Sequence, residues 1–164
     1  MGVSLRRWIR GFLAAALMLA ASSAALAQDK DPANGTWKLN VAKSKFSPGP
    51  APKDMTATIE SAGPGRHVEV TGTTGDGAAL KWGYSGNYDR KEIRVTGTNP
   101  DADVVMLRRL SATTVRSTYK KDGKQTLVNG VSVSADGKTL TVAQSGVNAK
   151  GQTVKNTLVF DRQK

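Results

Sequence analysis

The chain contains no cysteine and a single histidine, and no apolar run in it is long enough to span a bilayer as a helix. Each absence closes a class of explanation. Without cysteine there is no disulfide, no thiolate nucleophile, no thiolate metal site and no anchor for a thiol-linked lipid, so stability must come from packing and hydrogen bonding. His67 has no second imidazole with which to share a metal, and no partner spacing builds a Ser-His-Asp triad around it. Glu60, Glu69 and Glu92 fall on separate predicted strands, and no pattern brings two of them together as an acid and a base. Gly137-Lys138-Thr139 copies the tail of a phosphate-binding loop, but Ser132 stands where the first glycine belongs and a strand follows instead of a helix. Asp101 and Asp103 lack a third acidic neighbour, and Asp also caps turns, so calcium is the weaker reading of the pair. The expectation is a protein that is not an enzyme and that carries no cofactor and no metal.

What the sequence does hold begins with an address. Arg6, Arg7 and Arg10 precede a small-and-apolar run from Gly11 to Ala21, and Ala25-Leu26-Ala27 then fits the small-x-small cleavage pattern of an export signal. A membrane helix needs about 20 apolar residues, so the run predicts a cleavable signal over residues 1–27 and no stable membrane insertion after cleavage. Arg6-Arg7-Trp8-Ile9 also resembles a twin-arginine signal, although adjacent arginines are ordinary in the general route. Either route predicts a periplasmic or secreted protein. Residues 28–164 have a length that suits one domain: a short tail at 28–33, then a single domain from 34 to 164. Once the three signal arginines are gone, 21 Lys and Arg face 13 Asp and Glu, a net charge of +8 that favours anionic partners. The basic residues nevertheless alternate with apolar ones, as in Trp37-Lys38-Leu39 and Leu80-Lys81-Trp82, which is the pattern of a solvated sheet face; no nucleic acid is expected.

Period-two alternation of Val, Thr, Ile, Leu and Tyr with polar residues predicts strands near 35–41, 54–61, 66–73, 78–85, 88–96, 104–110, 113–120, 125–134, 138–145 and 152–161. Turn signals such as Gly75-Asp76-Gly77, Lys121-Asp122-Gly123 and Ala135-Asp136-Gly137 separate them. About ten antiparallel strands in an open sheet would leave two bare edges, so an all-β, up-and-down antiparallel barrel is the expected architecture, with a two-sheet sandwich as the alternative. The segment 42–53 breaks the rhythm, because Pro48, Pro50 and Pro52 remove backbone donors; it is predicted to be a loop or lid across one barrel end.

Gly35-Thr36-Trp37-Lys38-Leu39 resembles the opening strand of the calycin superfamily, the lipocalins and fatty-acid-binding proteins, in which a Gly-x-Trp motif begins the first barrel strand. The longer opening, Gly35 through Phe46 to Pro52, is similar to that of exported bacterial lipocalin-like proteins of uncharacterised function. The resemblance implies that Trp37 plugs the barrel base beneath a basic residue of the last strand, for which Arg162 is the candidate. It does not imply a fatty-acid ligand, because the helical lid is replaced by the proline-rich segment and the closing strand lacks an arginine-x-tyrosine pair.

Counting at period two places Trp82, Tyr84 and Tyr119 on inward faces and groups Val104, Met106, Arg108 and Leu110 on one face of their strand, with Arg109 on the other. Trp82, Tyr84, Met106, Arg108 and Tyr119 are therefore the expected cavity lining. Arg108 either enters the barrel, where it needs an anion, or snorkels from the strand end. Two functions stay open: a monomeric carrier of a small lipophilic ligand, or a filled barrel whose basic surface binds an anionic envelope component or another exported protein. Large inward aromatics favour the filled barrel; Ala57, Ala78 and Gly130 favour the cavity. N-terminal sequencing of protein recovered from the exporting cell should begin at Gln28. A chain that still starts at Met1, or that stays with membranes after an alkaline wash, overturns the signal assignment.

Overall fold

The structure, a computed structural model, describes residues 31–164; the expected export signal and its cleavage point after Ala27 lie outside the described residues. Alternating apolar side chains produce eleven antiparallel strands: β1 (Gly35–Leu39), β2 (Asp54–Ala62), β3 (Gly65–Thr73), β4 (Ala79–Asn87), β5 (Ile93–Arg94), β6 (Thr96–Thr98), β7 (Val104–Arg109), β8 (Thr114–Lys121), β9 (Lys124–Val133), β10 (Thr139–Val147) and β11 (Thr153–Arg162). Along β8 the period is plain, with Val115, Ser117 and Tyr119 buried and their neighbours open to solvent to different degrees. The hairpin between β8 and β9 turns on Asp122 and Gly123, both at positive φ, which matches the right-handed twist of the strands they join.

The strands form one sheet in the order β5-β7-β8-β9-β10-β11-β1-β2-β3-β4-β6, so the first and last strands are neighbours near its middle. Its two outer members, β5 and β6, are halves of one stretch interrupted by Val95. β6 pairs with β4 while β5 pairs with β7, and the Val95 N–H donates to Asp103 O at 2.9 Å. The sheet thus curls into a nearly closed barrel, and the sandwich alternative is not the architecture. The predicted strand over 88–96 is corrected accordingly: residues 88–92 turn outside the sheet, Arg90 at φ 66°, and two short half-strands follow. β1 also ends earlier than its alternation suggests. Asn40 accepts from the Lys43 N–H at 3.1 Å and donates to Asp161 at 2.7 Å, which starts a 3-10 turn over Val41–Lys43 and leaves Val41 exposed.

One barrel end is shut by a stack. Trp37 is fully buried, and its indole N–H donates to Ala33 O at 2.7 Å. The Arg162 guanidinium lies over the indole with its carbon 4.1 Å from the ring centroid. From there it donates to Gly137 O, Asn34 O and Pro32 O, each at 2.6 Å. Gly35 makes room for this: its φ is +133°, and a Cβ there would come within 2.7 Å of Arg162 Nη1. Residues 31–33, assigned to a tail by sequence, are instead part of this floor, with Asp31 and Ala33 buried.

Trp37→Ala should cost about 3–5 kcal/mol, the range for losing a buried large aromatic, against a total stability of roughly 5–15 kcal/mol for a small domain. Urea denaturation followed by circular dichroism measures it. A midpoint unchanged from the parent would remove Trp37 from the role of plug.

Candidate functional site

The barrel is not filled. A cavity of about 280 Å³ extends from the proline-rich segment down to Arg66. Met55, Val70, Leu80, Trp82, Leu158 and Phe160 supply much of its apolar wall. Trp82 stacks on Tyr84 at a centroid distance of 6.3 Å and meets Tyr119 edge-on at the same distance. Burial holds the Tyr119 hydroxyl well above the usual phenol range, and the adjacent Tyr84 adds to this, so the cavity presents a neutral phenol at physiological pH. Of the small residues expected to open space, Ala57 lines the cavity; Ala78 is in an exposed turn, and Gly130 lies on the opposite face from Asn129 and Val131.

The mouth is bordered on one side by the segment after the 3-10 turn. Lys45 and Thr157 exchange both backbone hydrogen bonds at 2.8 Å, and the Lys155 N–H donates to Ser47 O at 2.7 Å. On the far side the Lys53 N–H donates to Thr73 O, and Pro50 rests on Gly75, where a Cβ would come within 2.5 Å of the proline ring. Phe46, Pro48, Pro50 and Pro52 thereby face the cavity. The loop 99–102 borders it opposite. Asp101 holds that loop through its carbonyl, which accepts from Thr126 Oγ1 at 2.7 Å, and its carboxylate, which accepts from the Ala149 N–H at 2.9 Å. A bulge opposite Tyr119 lets both Thr126 and Leu127 be buried, which is what aims Thr126 at Asp101. Asp103 accepts from the Asp122 N–H, so both aspartates act as turn caps. Among the described residues no three His, Asp or Glu side chains converge as a metal site. His67 is partly exposed, 3.6 Å from the Glu69 carboxylate on the outer face.

Two of the expected lining residues are corrected. Arg108 is exposed and Met106 lies outside the cavity, because β7 is in the opposite phase: Val105 and Leu107 are fully buried and Arg109 follows them on the same face. In Val-Val-Met-Leu-Arg-Arg both faces are apolar, so alternation has no contrast to read. Pairing decides it, since Val105, Leu107 and Arg109 oppose Tyr119, Ser117 and Val115, the buried side of β8. Arg109 then donates to the Asp31 carboxylate at 2.5 Å and lies over the Tyr88 ring, 4.3 Å from its centroid. Arg66, 2 % exposed, completes the cluster: its Nε donates to Tyr88 Oη at 2.8 Å, and its Nη2 is 3.7 Å from Asp31. Tyr88 in turn donates to Asp31 at 2.9 Å.

Sequence reasoning also passed over a polar row on the cavity wall. Ser117, Asn129, Gln144 and Asn156 are successive cross-strand neighbours on β8, β9, β10 and β11, and the last three line the cavity. The Ser47 N–H donates to Asn156 Oδ1, and Asn156 Nδ2 donates to Gln144 Oε1, both at 2.8 Å. Parity would have found them. Asn129 shares its face with Leu127 and Val131, Gln144 with Leu140 and Val142, and Asn156 with Leu158 and Phe160.

No protein-family model matches the chain, and no curated protein matches it. The barrel and its cavity alone therefore carry the functional reading.

The floor cluster has a pH signature. Burial by itself would raise the Asp31 carboxyl, but the Ala33 N–H, the Arg66 charge, the Tyr88 hydroxyl and Arg109 together hold it below the ordinary carboxylate range. A carboxyl lowered on folding contributes stability above its unfolded pKa, about 3.9, and loses that contribution as pH falls through the folded value. Asp31→Asn should cost about 3 kcal/mol at neutral pH, the low end for breaking a buried pair because Arg109 still reaches solvent. Thermal melts from pH 7 to pH 2 should show the gap to the parent shrinking below about pH 4. A gap that is constant with pH would remove Asp31 as the counter-charge.

Proposed function

We propose that this protein is an exported carrier, working as a monomer outside the cytoplasm, that holds one small apolar or amphipathic molecule inside its barrel and does no chemistry on it. The observation that supports this most directly is the cavity of about 280 Å³, just below the range of roughly 300–1,000 Å³ common for small-molecule pockets. Its composition fits as well: apolar walls, two tyrosines, and a few polar groups at fixed positions. A molecule of drug-fragment size suits it better than a long acyl chain. The rival reading, a filled barrel with a working basic exterior, needs an interior without such space.

The processed chain keeps Trp37 in the floor and Trp82 in the cavity wall, so binding has an internal reporter. Titration with N-phenyl-1-naphthylamine, a neutral lipophilic fluorophore, should shift tryptophan emission, and Trp82→Phe should abolish the shift. Val142→Phe, which narrows the cavity, should weaken binding about tenfold, or 1.4 kcal/mol. Affinity should change little between low and high salt, because burial in an apolar cavity is not screened as surface charge attraction is. Binding that falls steeply with salt and ignores Val142→Phe would move the site to the basic exterior.

A further inference from the structure

The polar row carries a direction. A backbone N–H can only donate, so the bond from the Ser47 N–H to Asn156 Oδ1 turns the other end of that amide, Nδ2, toward Gln144. Gln144 must then receive it on Oε1. Its Nε2 is left as a donor on the cavity lining, and no protein acceptor meets it among the described residues. Asn129, directly paired with Gln144 across β9 and β10, presents a second donor. Its Oδ1 is buried without a partner, which leaves Nδ2 as the end of the amide that the cavity reaches. Directly opposite residues of paired strands hold their Cβ atoms roughly 4.5–5.5 Å apart, so the two NH2 groups can converge on one point. Polar groups inside folded proteins are paired in the large majority of cases, and two donors turned to a largely apolar cavity mark the seat of an acceptor that the protein itself does not supply.

Resting on the carrier reading, we propose that the bound molecule carries an uncharged carbonyl oxygen, that of a ketone, ester or amide, which accepts from Gln144 Nε2 and Asn129 Nδ2 together. One such oxygen has two lone pairs, which match the two donors. The apolar remainder of the molecule lies on the wall formed by Val70, Trp82 and Leu158. A carboxylate suits the seat less well, because the two amides supply dipoles but no charge, and an anion taken out of water without a counter-charge is costly. Arg66, the cation on the lining, already donates to Tyr88 Oη and faces the Asp31 carboxylate. The ligand class is therefore a compact neutral carbonyl compound on an apolar frame.

Three probes on one frame test this by displacement of N-phenyl-1-naphthylamine from the processed protein: 2-acetylnaphthalene, 2-isopropenylnaphthalene and 2-naphthoate. The first has the carbonyl, the second replaces its oxygen with a methylene of similar shape, and the third is an anion. The quantity read is the ratio of ketone to alkene affinity, because the alkene reports the apolar wall alone. Gln144→Met, which keeps the length of the side chain and removes its polar end, should lower that ratio roughly five- to tenfold, the scale of one hydrogen bond. The alkene should stay within about threefold of its parent affinity, a sign that the cavity is intact. Asn129→Leu, close in shape, is the second variant and should lower the ratio at least about twofold. A ratio that neither variant changes overturns the carbonyl seat while leaving the carrier reading intact. Tighter binding of naphthoate than of the ketone overturns it in favour of an anion at Arg66. Failure of the fluorophore and of all three probes to bind sinks the carrier reading and this inference together.

Discussion

A guanidinium lying on an indole ties the two ends of the folded chain to each other. Arg162 comes from the last strand and Trp37 from the first, and these strands are neighbours in the sheet. By capturing the carbonyls of Pro32, Asn34 and Gly137, the same side chain fixes the chain entering β1 and the hairpin before β10. A sheet of this length can avoid bare edges only by curling back on itself, and the curl needs a fixed bottom. The stack supplies it without any covalent link, in a chain that has no cysteine to provide one.

With the floor closed, the interior divides by residue type. Strands β2 to β4 bring Met55, Val68, Val70 and Trp82, whereas β9 to β11 place Asn129, Gln144 and Asn156 in their middle rows. Asn129 and Asn156 occupy less space than the Leu or Phe a filled barrel would carry at those positions. The cavity is thus a consequence of side-chain choice on a few inward positions, and its polarity is a consequence of the same choice. The proline-rich segment borders its mouth because that segment has few N–H groups to offer a sheet but does present apolar rings there.

The overall architecture was legible because each long strand has one apolar and one polar face, and Asp-Gly turns punctuate them. Trp37 with Arg162, and Trp82, Tyr84 and Tyr119, follow from that pattern and from the opening motif. Three things did not follow. The phase of β7 was hidden because both of its faces are apolar. The strand at 88–96 divides at Val95 because closing the sheet asks one half to bond β4 and the other to bond β7, a demand that local sequence does not state. The Asp31 cluster joins residues far apart along the chain, and no spacing rule relates Asp31, Arg66, Tyr88 and Arg109. The polar row is a different case, since its members sit on inward positions that simple counting marks, although their side chains are of the type that a strand usually turns to solvent.

Asp31 lies just beyond the place where the sequence predicts a signal to be cut, with Gln28, Asp29 and Lys30 between them. Its carboxylate is what balances two arginines at the base of the barrel. A chain that begins after Asp31 has no such carboxylate to set against Arg66 and Arg109. The start of the described chain is thus part of the base on which the barrel stands.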